Sequence, residues 1–132
     1  MTTHASGAFE LKSFDEDTTE EFEDGTKLTR ARIVQSLSGD LEGDLTVDFF
    51  MYYRADGTAS FAGYQRFVGR LGDRSGSFVQ QAIGTYDNTQ ATTTSFVVPG
   101  SGTGDLAELS GEGTTAAPHG STGTYTLDYH LG

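Results

Sequence analysis

The chain has 132 residues and no cysteine, with 19 acidic against 8 basic residues for a formal net charge of −11. That length suits one domain, which buries roughly two thirds of the surface its unfolded chain exposes. The missing cysteines exclude a disulfide framework, a thiol nucleophile and a zinc–thiolate site, and the charge makes nucleic acid and anionic membranes poor partners. No stretch approaches the ~20 apolar residues of a membrane span, and no basic segment leads into an apolar run at the N-terminus. Neither membrane insertion nor a secretory leader is therefore expected, and the lack of cysteine suits a reducing, cytoplasmic setting. The acidity reads first as a solubility device; adaptation to a salty cytoplasm is the alternative, which the low lysine content also fits.

Residues 1–7 read as a small polar lead, flexible and outside a folded unit of residues 8–132. Ala8 to Phe14 alternates Phe9, Leu11 and Ser13 against Glu10, Lys12 and Phe14, as a half-buried strand would. Asp15 to Asp24 carries seven acids in ten positions. It lacks the D-x-[DN]-x-[DN]-G order of a calcium loop and reads as a solvated acidic loop that Gly25 closes. Lys27 to Ser38 carries both a weak helical stripe and strand-like alternation. The flanking glycines and the β-branched Thr29, Ile33 and Val34 tip it to strand. Leu41 to Asp44 reads as a turn.

Leu45 to Asp87 is the organising stretch: three apolar, aromatic-rich segments split by Ala55-Asp56-Gly57-Thr58 and by Gly72-Asp73-Arg74-Ser75-Gly76. Asp-Gly between strand-like runs is a strong hairpin signal, since the turn needs positive φ. In the first segment Leu45, Val47, Phe49, Met51 and Tyr53 share one face. In the second, Phe61, Gly63, Gln65, Phe67 and Leu71 do so. In the third, Val79, Gln81 and Ile83 stand against Phe78, Gln80, Ala82 and Tyr86. Interior glycines at 63, 69 and 84 mark the bends a curling sheet needs.

Gln90 to Val98 is a threonine-rich strand ended by Pro99. After the loop Pro99–Gly104, Asp105 to Leu109 reads as one helical turn capped by Asp105, with Leu106 and Leu109 plugging one face. Gly111–Ala116 and Thr124–Leu131 complete the chain, the last with Tyr125, Leu127, Tyr129 and Leu131 on its core face. Eight short strands joined mainly by tight turns must close or form a sandwich, since open edges invite aggregation. Eight strands also make a barrel just wide enough for its own side chains or one small ligand. An all-β, eight-stranded antiparallel up-and-down barrel, calycin- or lipocalin-like in outline, is the expected fold.

The segments GAFELKSFDE, KLTRARIVQSLSGDLEG, YRADGTASFAGYQRFVGRLGDRSGSFV, VVPGSGTGDLAELSGEG and GTYTLDYHL resemble DUF3224, a family of bacterial proteins of uncharacterised function. The resemblance runs from about Gly7 to Leu131. It implies an allene oxide cyclase-like barrel, a fold whose relatives hold small apolar or reactive molecules and are commonly homo-oligomeric. Gln65 stands where the resemblance leads one to expect Glu, and Ala82, after Gln81, where it leads one to expect His. A Glu and a His inside a barrel would make an acid–base pair, and neither replacement titrates.

A small apolar ligand in the lumen is the leading expectation, with walls from Phe49, Met51, Phe61, Phe67 and Tyr129 and polar contacts from Gln65, Gln81 and Tyr53. Gln65 and Gln81 also have a structural reading, as amides paired across the meander. Tyr53, Tyr125 and Tyr129 equally suit packing with the hydroxyl at a rim. Asp48 and Arg66 suit a cross-strand ion pair. His4, His119 and His130, without cysteine, form no metal set, so neither a metal nor a cofactor is expected. The loop Pro99–Gly104 lacks the lysine and long helix of a phosphate loop, and no strand–elbow–helix places a nucleophilic serine. Whether the chain is an enzyme is left open: a cyclase- or isomerase-like step would rest on ligand conformation. The alternative is a structural protein with a filled barrel, whose exposed Phe50, Tyr52, Tyr64 and Phe78 form an oligomer interface.

Overall fold

The computed structural model describes residues 2–118 and 122–131, and His119 lies outside them. The described residues form strands and turns without a helix: β1 (Thr3–Glu21), β2 (Lys27–Gly39), β3 (Leu41–Tyr53), β4 (Ala59–Leu71), β5 (Arg74–Tyr86), β6 (Ala91–Val97), β7 (Thr103–Gly104), β8 (Leu109–Ala117) and β9 (Thr122–Leu131). β1 to β6, then β8 and β9, each pair antiparallel with the next, and β9 pairs with β1. The sheet therefore closes into the expected eight-stranded up-and-down barrel, without a free edge to blunt. The two residues of β7 bond only to the start of β5.

Three turns at one end, here the upper, share a chemistry: Asp24-Gly25-Thr26, Asp56-Gly57-Thr58 and Asp87-Asn88-Thr89. In each, Asp Oδ1 accepts the Thr backbone N–H at 3.0 Å and the Thr hydroxyl at 2.6–2.7 Å. The middle residue has φ of 90°, 89° and 75°, a region open to glycine and tolerated by asparagine. These bonds favour the ionised carboxylate and hold all three acids below the usual range, Asp87 at about 2.

The lower half of the barrel is solid. Phe67 and Phe78, both fully buried, meet at 5.2 Å between ring centroids, with Leu37, Leu41, Leu45, Leu71, Val97 and Leu127 around them. Leu106 and Leu109 plug the lower end as expected, but Leu106 does so from the turn after β7 and Leu109 as the first residue of β8 rather than from a helical turn. Asp105 does not cap a helix. Its backbone N–H donates to the Ser75 carbonyl and its carboxylate accepts the Ser75 N–H, tying the plug to the start of β5.

Several local expectations are corrected. Thr3–Gly7, expected as a flexible lead, are the first residues of β1 and pair with Tyr125–Tyr129 of β9. The acidic stretch is no loop: Asp15 to Glu21 continue β1, with Asp15 opposite Arg32 and Asp17 opposite Arg30. Opposed basic residues let an acidic run that would stay solvated alone lie in a ladder. Leu41–Asp44, expected as a turn, open β3, because the reversal is made by Gly39, at φ 102°, and Asp40. Asp48 Oδ1 lies 3.6 Å from Arg32 Nε, whereas Arg66 stands opposite Thr46. Phe78, expected on an exposed interface, is in the core.

Candidate functional site

Above the solid half the interior opens. A cavity of about 260 Å³ lies between β1–β6 and β8. Large residues line one wall: Phe9 on β1, Phe49 and Met51 on β3, and Phe61 on β4. Small ones line the other: Ala91 and Thr93 on β6, and Thr115 and Ala117 on β8. The void is the space those small side chains leave. Phe49 and Phe61 pack at 4.9 Å between centroids, and a Cβ on Gly84 would run into the Phe61 ring, so that ring sits over bare backbone. Phe14 and Tyr86, 46% and 37% exposed, stand at the upper mouth.

Phe14 reaches the cavity through a register shift. β1 slips against β2 between Leu11 and Ser13, so Phe9 and Leu11 line the cavity together with Phe14, a residue of the opposite alternation phase. Such a bulge carries Glu16 inward as well. Its Oε2 accepts the hydroxyls of Tyr53 at 2.7 Å and Thr29 at 2.6 Å. Burial, and then the Glu16 carboxylate, push the Tyr53 phenol well above its ordinary value of 10.0. Lys27 Nζ lies 5.1 Å from the centre of the same ring. The mouth therefore gathers the Glu16 carboxylate, the phenols of Tyr53 and Tyr86 and the Lys27 ammonium.

The floor is polar. Gln65 of β4 and Gln80 of β5 are cross-strand partners, 4% and 9% exposed. Ser95 Oγ donates to Gln80 Oε1 at 2.8 Å, and Gln80 Nε2 donates to Gln65 Oε1 at 3.4 Å. A Cβ on Gly113 would stand 3.1 Å from Ser95 Oγ and 3.3 Å from Gln80 Oε1, so this glycine leaves room for the relay. Gln65 faces the cavity, as does the half-buried Gln35 of β2.

Of the residues expected to form the site, Tyr53, Phe49, Met51, Phe61 and Gln65 converge on the cavity. Phe67 lies below it in the packed half, and Tyr129 packs against the core opposite Thr3 and Gly111 rather than lining the cavity. Gln81 is a correction. It is exposed on the outer face opposite Tyr64, and Gln80 holds the inner position. The signal was the turn: Leu71 pairs with Arg74 across Gly72 and Asp73, so odd residues of β4 face even residues of β5. With Phe61, Gln65 and Phe67 inward, Phe78, Gln80 and Ala82 must be too. Ala82 and Gln65, the two positions where the resemblance led to His and Glu, thus both face the interior. Among the described residues no three His, Asp or Glu side chains gather as a metal-binding group. His4 bonds Asp128 at 2.6 Å on the exterior, and His130 Nε2 lies 3.0 Å from Thr2 Oγ1.

A closed antiparallel barrel, solid below and hollow above, defines the class: a small all-β barrel with an interior cavity. The family model described as "Protein of unknown function (DUF3224)" matches residues 5–129, and the chain belongs to that family. Its fold is similar to a crystal structure of a DUF3224-family protein of unknown function from Shewanella oneidensis MR-1. The two share 24% identity and a TM-score of 0.78 over 100% of this chain and 99% of that one. No curated protein matches.

The Tyr53 environment has a measurable consequence. A phenol held above its unfolded value favours the folded state below that value, and the contribution is lost as pH rises past about 10 toward the higher folded pKa. Tyr125, also raised by burial, adds in the same direction. In a titration of phenolate absorbance, Tyr53→Phe should remove one of the tyrosines that ionise late. An unchanged number of late-ionising tyrosines would contradict the Glu16–Tyr53 contact.

Proposed function

We propose that the protein binds one small, largely apolar molecule in the upper cavity. The observation that carries this is the cavity itself, walled by aromatic and aliphatic side chains, floored by the linked amides of Gln65 and Gln80 and entered from one end. At about 260 Å³ it sits just under the ~300 Å³ at which drug-sized sites begin, which favours a ligand smaller than those. Among the described residues the ionisable groups near it are at the mouth, so a cyclase- or isomerase-like step there would work by fixing the ligand's conformation, with no strong acid or base of those residues at the floor.

Binding is tested with prodan, a neutral naphthalene dye whose emission shifts to the blue in apolar surroundings. One dye per chain should bind the native protein and be lost in Thr115→Phe, which fills the cavity from β8. It should persist in Ile83→Glu, which alters only the exterior. Dye kept by Thr115→Phe but lost by Ile83→Glu would place it on the outer surface and contradict the proposal.

A second property is supported by that surface. Phe50, Ala62, Ile83 and Thr94 form one cross-strand row on the outside of β3–β6, with Phe50 and Ile83 64% and 61% exposed. They flank an outer groove of about 590 Å³ that Leu28, Tyr52 and Thr85 also line, with no acidic residue on its walls. On a chain of net charge −11, this is a face where two copies meet without like charges opposed. We propose homo-oligomerisation through it, with Phe50, Tyr52 and Tyr64 contributing and Phe78 excluded by its burial. Sedimentation should find an oligomer that Ile83→Glu converts to monomer, whereas a monomeric native protein at tens of micromolar would contradict it.

A further inference from the structure

The cavity's polar groups define the head group of its occupant, an inference that rests on the binding proposed above. Gln65 is 96% buried, since only 4% of its surface is exposed, and its amide is oriented by the relay beneath it. Ser95 donates to Gln80 Oε1, which leaves Gln80 Nε2 as donor and Gln65 Oε1 as its acceptor. That uses the oxygen of Gln65 and turns its Nε2, a donor, to the cavity. Among the described residues this nitrogen has no protein partner, nor is it sealed from space as an unsatisfied buried atom. Gln35, on the same cavity, has no side-chain partner among them either.

What lies around Gln65 excludes a charged head. Its neighbours on the lining are Val47, Phe49 and Phe61, and among the described residues no Lys, Arg or His lines the cavity. An ionised carboxylate at the floor would lose its hydration with no cation to replace it. A carboxylate at the mouth would meet Lys27, but also Glu16 and the acidic run Asp15–Asp24. An ammonium at the floor would face an amide donor and no free carboxylate. We propose that the cavity selects an uncharged molecule that accepts a hydrogen bond from Gln65 Nε2 through a carbonyl oxygen, with its apolar remainder directed to the mouth.

Displacement of bound prodan by three ten-carbon chains separates the possibilities: 2-decanone, decanoate and decylamine, all at pH 8, where the acid is ionised and the amine protonated. On native protein, 2-decanone should compete at a concentration about tenfold or more below that of either ion, the ratio that one hydrogen bond and an avoided desolvation supply. In Gln65→Met, prodan and the chains should lose affinity only through the carbonyl, so 2-decanone should fall toward the ions. If that variant unfolds, the native comparison still decides. Decanoate competing as well as 2-decanone, or 2-decanone unaffected by Gln65→Met, would overturn the head-group assignment and leave cavity binding standing. Failure of prodan to bind at all would overturn the binding proposal, and this inference with it.

Discussion

The barrel depends on one seam, the ladder between its first strand and its last, and the hydroxyl of Tyr125 ties that seam to the β2–β3 turn. From β9 this oxygen accepts the Leu41 N–H at 2.8 Å and lies 2.9 Å from the Ser38 carbonyl and 3.1 Å from the Leu41 carbonyl, which take its proton. One phenol thereby satisfies the tight reversal between β2 and β3 where no ladder can. Gly7 and Gly39 make the approach possible, since a Cβ on Gly7 would strike the phenol and one on Gly39 would strike the Gly7 backbone. Asp40 adds the last bonds, giving its N–H to the Ser6 carbonyl and accepting the Ser6 N–H on its carboxylate. β1, the β2–β3 turn and β9 are thus joined at one point, beside the ladder from Thr3↔Tyr129 to Glu10↔Thr122 that closes the sheet and leaves no open edge.

Closure alone gives a tube, and side-chain volume decides which part of it is hollow. In the lower half Leu37, Leu41, Leu45, Leu71, Val97 and Leu127 turn inward, and the Phe67–Phe78 contact with the Leu106–Leu109 plug leaves no room. In the upper half β6 and β8 turn inward only Ala91, Thr93, Thr115 and Ala117, opposite Phe49 and Phe61. Evenly mixed large and small residues would have filled the interior, and this asymmetry leaves a void. Gln65 and Gln80 sit at the boundary, where the polar relay gives the void a floor with a direction.

Most of the barrel was legible because its signals are local. Asp56-Gly57-Thr58 announces its hairpin through a required positive φ, and Leu45–Tyr53 announces its inner face by unbroken alternation. Less of the site was legible, because it depends on relations between strands. The register shift after Leu11 moves Phe14 and Glu16 inward, and nothing in ELKSFDE marks it. The parity of β5 follows from a two-residue turn at Gly72-Asp73, and a longer turn through Gly76 exchanges Gln80 for Gln81. The β-branched Val79 and Ile83 reinforce that exchange, since β-branched residues read as core although Ile83 is on the outside. The acidic run was hidden by its composition, whose partners Arg30 and Arg32 lie on the next strand.

The central claim is that one barrel holds a packed half and a hollow, apolar half. The most direct test is a crystal of the protein pressurised with xenon, which occupies dry apolar cavities and little else. A xenon atom among Phe49, Met51, Phe61 and Thr115, with none between Phe67 and Phe78, is the predicted result. An upper half that admits no xenon because side chains have closed over the space would contradict it and leave the outer face of β3–β6 as the functional surface.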